Sequence, residues 1–102
     1  MIRIGQFGTT THVTATTESQ DWQNPGPYSR FCVMATVNVN LRKSTNADYV
    51  ANGNSITAET TDFLLQANEY VEVGLLSSEW LAWIVNSGDT DGDLYITPMN
   101  QI

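Results

Sequence analysis

Arg30-Phe-Cys-Val-Met-Ala-Thr-Val-Asn-Val-Asn-Leu-Arg42 is the stretch on which the fold is decided. From Ala35 onward it alternates strictly, with Ala35, Val37, Val39 and Leu41 apolar and Thr36, Asn38, Asn40 and Arg42 polar. Successive side chains of a strand point to opposite faces, so this is the pattern of a half-buried strand. Ala35, Val37, Val39 and Leu41 are expected to face one core and Thr36, Asn38 and Asn40 to face out; a one-residue slip would reverse every assignment. The first half, Phe31 to Ala35, is apolar on both faces, which predicts that a loop or a neighbouring subunit covers its outer side.

Working outward, Glu69-Tyr-Val-Glu-Val-Gly74 also alternates, with Val71 and Val73 on one face and Tyr70 and Glu72 on the other. Its β-branched residues suit a pleated surface. Glu79-Trp-Leu-Ala-Trp-Ile-Val85 and Leu94-Tyr-Ile-Thr97 flank the turn-rich Asn86-Ser-Gly-Asp-Thr-Asp-Gly-Asp93, which reads as a hairpin. The rival is a helix from Ser77 or Ser78 to Gly88, which its Trp, Ile and Val residues would make apolar all round. Trp80 and Trp83 are three apart, so on a strand they point to opposite faces and at most one enters the core. Weaker strand signals lie at Ile2–Ile4, His12–Thr17, Ser55–Ala58 and Asp62–Leu65, and the connectors Asp21–Tyr28 and Asn46–Asn54 are rich in turn residues. Seven or eight short strands predict a single all-β domain over residues 1–102, an antiparallel β-sandwich of jelly-roll or immunoglobulin-like type. Residues 1–11 are read as an extended terminal strand or arm.

The 102 residues suffice for one core and not for two, and no run approaches the roughly 18 apolar residues of a spanning helix. The amino terminus turns polar at Gly8-Thr-Thr-Thr-His12 before the apolar region of a secretory signal forms. Four Lys and Arg against eleven Asp and Glu give a formal charge of -7, which repels a polyanion; nucleic acid is not an expected partner, and an acidic mimic of nucleic acid is a minor alternative. Neither is a membrane expected. Cys32 has no cysteine to pair with and reads as a small buried hydrophobe, compatible with a reducing compartment.

Catalysis is not expected. A Ser–His–Asp or Cys–His arrangement would have to be built on His12, the only histidine, and nothing beside it supports one. There is no phosphate-cradling glycine loop, zinc spacing or dinucleotide fingerprint, and no cofactor is implied. Asp89-Thr-Asp-Gly-Asp93 spaces three carboxylates as calcium loops do, but an EF-hand needs Gly at its sixth and Glu at its twelfth position, where Leu94 and Asn100 stand. A plain acidic turn is the expectation, with a looser calcium site as the alternative. Trp22 and Tyr28, in and beside the Pro25-Gly-Pro27 loop, are the candidate binding residues: aromatic faces stack on sugars, and loops of this kind carry function. The structural explanation of the same residues is a loop tucked back over the core.

Phe63-Leu-Leu-Gln-Ala-Asn-Glu-Tyr-Val-Glu-Val73, Glu79-Trp-Leu-Ala-Trp-Ile84 and Gly92-Asp-Leu-Tyr-Ile-Thr-Pro98 together resemble the ending of small tailed-bacteriophage virion proteins, β-sandwiches that decorate heads or join virion parts. The resemblance covers roughly residues 63 to 98 and rests on patterns such as Leu65-Gln-Ala-Asn68 before a strand and a last strand ending Ile96-Thr97. It implies a non-enzymatic virion structural protein, synthesised in the host cytoplasm, most simply a capsid decoration (cement) subunit binding the major capsid protein and forming a homo-oligomer. The alternative is a receptor- or carbohydrate-binding module of a fibre or tail, using Trp22 and Tyr28. Charged residues make up only 15% of the chain, which suits close packing against other protein. The segment Ile2–Phe7 and the Trp22–Tyr28 loop are the expected contact elements.

Overall fold

The alternating stretch at residues 30–42 is divided between two sheets. In the computed structural model, which describes residues 9–99, it gives β3 (Arg30–Ala35) and β4 (Val39–Ser44), separated by a bend at Thr36-Val-Asn38. The remaining elements are β1 (Thr11–Ala15), β2 (Gln20–Gln23), a short helix α1 (Asn46–Ala51), β5 (Phe63–Leu65), β6 (Tyr70–Gly74), β7 (Trp80–Val85) and β8 (Gly92–Pro98). Ile2–Ile4 and most of the expected terminal arm lie outside the described residues.

Every strand pairing is antiparallel. The first sheet has the order β1-β8-β3-β6 and the second β2-β7-β4-β5. The pairs β1·β8, β2·β7, β3·β6 and β4·β5 double the chain back on its own midpoint, and β3·β8 and β4·β7 complete the two sheets. This is the jelly roll of two Greek keys, which decides between the two sandwiches that the sequence left open.

The bend is held from both sides. The Thr36 N–H donates to the Asp93 carbonyl at 3.0 Å, and the Asp93 N–H donates to Thr36 Oγ1 at 3.0 Å. The Asn68 N–H donates to the Ala35 carbonyl at 2.8 Å, the Ala67 N–H to Asn38 Oδ1 at 2.7 Å, and the Asn86 N–H to the Asn38 carbonyl at 2.9 Å. Asn68 itself sits at φ 63°, a left-handed conformation that asparagine tolerates.

Phe31, Val33 and Ala35 of β3 and Val39 and Leu41 of β4 turn inward to one core with Leu65, Leu81, Trp83, Val85, Leu94 and Ile96. Trp83 is 1% exposed, and its Nε1–H donates across the sandwich to the Thr14 carbonyl at 2.9 Å, so the buried indole leaves no donor unpaired. Trp80 faces the other way, as its spacing from Trp83 requires.

Four sequence expectations are corrected here. Val37 lies in the bend and is only half-buried. Asn40 does point away from the core, yet it is 2% exposed, because the connection between β4 and β5 crosses over it and the Asp62 carbonyl accepts from its Nδ2 at 2.9 Å. β7 and β8 do not form a hairpin: they lie in opposite sheets, since a turn-rich loop marks a reversal without choosing the neighbour, and residues 86–91 easily span the roughly 10 Å between packed sheets. Ser55–Ala58 is not a strand, while the supposed connectors contain β2 and α1. β2 escapes notice because Gln-Asp-Trp-Gln has one apolar residue. α1 is a six-residue helix started by Thr45, whose Oγ1 accepts from the Asp48 N–H at 3.1 Å; it escapes notice among the turn residues Asn46, Asp48, Asn52, Gly53 and Asn54.

Gly92 packs against the bend so closely that a Cβ there would stand 2.7 Å from Thr36 Oγ1 and 2.8 Å from both methyls of Val37, whereas one at Gly74 meets nothing within 4 Å. Gly92→Ala is expected to lower the unfolding free energy in urea melts by about 1–3 kcal/mol, and Gly74→Ala to leave it within about 0.5 kcal/mol. Equal losses would contradict this placement of the bend.

Candidate functional site

Trp22 and Tyr28 come together. Trp22 stands opposite Leu81 in the β2·β7 register and so points inward, with its ring perpendicular to that of Phe31 at 5.3 Å between centroids. The loop that follows is tied down by Asn24, 1% exposed, whose Nδ2 donates to the carbonyls of Tyr28 and Leu75 at 2.8 Å and of Leu76 at 3.2 Å, and whose Oδ1 accepts from the Gly26 N–H at 2.9 Å. Tyr28 is thereby folded onto the core. The two aromatic residues share a cavity of about 420 Å³ with Thr11, Pro25, Phe31 and Pro98, at the margin between edge strands β1 and β2. Asn24 was not singled out from the sequence; its place just before Pro-Gly-Pro was the available signal.

The opposite margin, between edge strands β5 and β6, is more apolar and more open. Leu41, Phe63, Val71, Val73 and Leu81 line a groove of about 340 Å³ there. Phe63 is 59% exposed, Leu64 43% and Tyr70 52%.

The two outer faces of the sandwich differ. Over the second sheet, the Tyr49 ring of α1 stacks on Trp80 at 3.7 Å, and Asn46 Oδ1 accepts from Trp80 Nε1 at 3.1 Å and from Gln23 Nε2 at 3.3 Å. The connection then reaches β2's side, where the Ala58 N–H donates to Ser19 Oγ at 2.7 Å, and returns through Asp62 to Arg42. Beneath it Ala82, an outward-facing residue of β7, is fully buried, and a polar cavity of about 440 Å³ is lined by Arg42, Lys43, Asp48 and Glu59 among others. On the outer face of the first sheet, Thr14 Oγ1 donates to Gln20 Oε1 of β2 at 3.3 Å. Register there sets His12, Tyr95, Met34 and Tyr70 in a row across all four strands, with Thr97, Cys32 and Glu72 in the next row.

His12 is committed to this face: its Nε2 lies 2.8 Å from Asp93 Oδ1 and its ring stacks on Tyr95 at 4.9 Å. Asp89, Asp91 and Asp93 do not converge, and among the described residues no three His, Cys, Asp or Glu side chains group as metal ligands. Cys32 is half-buried on the outer face of β3 and is not core filler; burial, then the nearby Glu72 carboxylate, push its thiol pKa up, which keeps it protonated and unreactive. No family model, curated protein or solved structure matches this chain.

Burial raises the Asp62 carboxyl, but the Glu59 N–H and the Arg42 guanidinium, 3.0 Å away, outweigh it and hold the group below its ordinary 3.8. A depressed carboxylate stabilises the fold above its unfolded-state value, and that contribution is lost as pH falls through the folded one. Asp62→Asn is therefore expected to flatten the acid limb of stability below about pH 4; an unchanged limb in melts from pH 5 to 2 would contradict the pairing. EDTA is expected to leave the melting temperature unchanged, and a calcium-reversible drop of many degrees would make the Asp89–Asp93 turn a metal site.

Proposed function

We propose that this chain is a non-enzymatic structural protein of a tailed-bacteriophage virion, a capsid decoration or cement subunit that binds the major capsid protein. The observation that carries the reading is the open margin of the jelly roll between β5 and β6, where Phe63 stands exposed in a largely apolar groove and Leu64 is exposed beside it on the outer face of the second sheet. Edge strands with exposed apolar side chains are templates for pairing with another chain. The stretch that resembles virion proteins, residues 63 to 98, supplies both of these edge strands. The same low charge that favours dry packing supports a protein partner.

The cavity at Trp22 and Tyr28 favours a second reading, a carbohydrate- or receptor-binding module of a fibre or tail. Its rings are spent largely on the core, Trp22 against Phe31 and Tyr28 beneath its own loop, which weighs against a sugar platform.

Expanded capsids of the source phage, stripped of this protein and titrated with the purified chain, provide the test. Saturable decoration is expected, with Phe63→Asp and Leu64→Asp each weakening it by more than about tenfold while melting normally. No binding by the full chain would end the decoration reading. Binding of the chain to a glycan array, lost in Trp22→Ala, would establish the second reading instead.

A further inference from the structure

We propose that Phe7 is seated in the cavity at Trp22 and Tyr28, so that the segment preceding β1 closes this margin of the sandwich as part of the domain. The cavity, about 420 Å³, is walled by Trp22, Pro25, Tyr28, Phe31 and Pro98, with Thr9 and Thr11 along one side. Its shape is set in advance, because Asn24 ties the Pro25–Tyr28 loop to the Leu75 and Leu76 carbonyls. Aromatic and proline walls favour an apolar occupant.

Register selects the residue. The odd-numbered residues of β1 turn inward: Ala15 belongs to the core, Val13 packs against it, and Thr11 stands opposite the buried Ile96. The pairing with β8 continues past the start of β1, since Thr10 Oγ1 lies 2.8 Å from Thr97 Oγ1, and Thr9 and Pro98, next in the same register, both line the cavity. Side chains of a strand alternate with a period of two, so the same alternation carried upstream assigns Phe7 to the cavity side and Gln6 and Gly8 to the other. Phe7 is the only apolar side chain between Ile4 and Val13. Two residues of extended chain span about 7 Å, which brings its ring within reach of the cavity beside Thr9. The tether also favours this occupant over any other. Phe7 is joined through Gly8 to a wall of the cavity, so its effective concentration there is on the order of millimolar, and a sugar or a second copy would have to displace it. With the ring in place Trp22 and Tyr28 are covered, and the Ile2–Phe7 segment serves its own domain and not a partner.

Nuclear Overhauser effects in the purified full chain test this with no virion partner present. The Phe7 ring is expected to show them with Trp22 and Tyr28, and within one copy, so that a mixture of isotope-labelled and unlabelled chain gives none between copies. Phe7→Asp is expected to lower the melting temperature by about 5–10 °C, and Ile4→Asp to leave it within about 3 °C. Combining Phe7→Ala with Tyr28→Ala is expected to cost less than the two single losses added together, as for residues in contact. A Phe7 ring with no effects to Trp22 or Tyr28, a Phe7→Asp chain that melts like the parent, or strictly additive losses would overturn the proposal. Effects seen only between copies would overturn it as well, by giving the cavity to a second copy.

Discussion

The fold depends on one bend. Between Ala35 and Val39 the chain leaves the first sheet and enters the second, and five hydrogen bonds from three different segments fix the backbone and side chains of residues 35–38 as it does so. Once β3 and β4 lie in opposite sheets, the strands that follow can pair only by retracing the path: β5 beside β4, β6 beside β3, β7 beside β2 and β4, and β8 beside β1 and β3. Gly92 matters for the same reason. It lets the last strand approach the bend without a side chain between them.

The inward pattern was legible because burial enforces a period of two. Phe31, Val33, Ala35, Val39, Leu41, Val71, Val73, Leu81, Trp83, Val85, Leu94 and Ile96 face the core or pack against it, and nearly all can be read from alternation. The switch of sheets was not legible, because a bent strand that keeps alternating presents the same pattern as a straight one. Asn40 shows a second limit: alternation says that it faces out, but only the path of a distant loop says that it is buried. β2 was hidden for want of apolar residues and α1 by the turn-forming Asn46, Asp48, Asn52 and Gly53 in and after it, and their stability comes from neighbours, Leu81 and Phe31 for Trp22, and Trp80 for Tyr49. Of the candidate site, the pairing of Trp22 with Tyr28 was legible from their shared loop. The role of Asn24 was not, since its acceptors at Leu75 and Leu76 lie some fifty residues away.

The result is a sandwich with unequal sides. One outer face is closed by a helix, a stacked Tyr–Trp pair and a polar cavity; the other carries a row of His, Tyr, Met and Tyr. One margin is closed by the loop that Asn24 ties down, while the other exposes Phe63 beside an apolar groove.

The central claim is that residues 30–44 serve two sheets, and cross-strand nuclear Overhauser effects in solution test it most directly. The account predicts that residues 30–35 show them with residues 70–74 and 94–98, and that residues 39–44 show them with residues 63–65 and 80–85. A single set of neighbours running the length of residues 30–42, as for one unbroken strand, would contradict it.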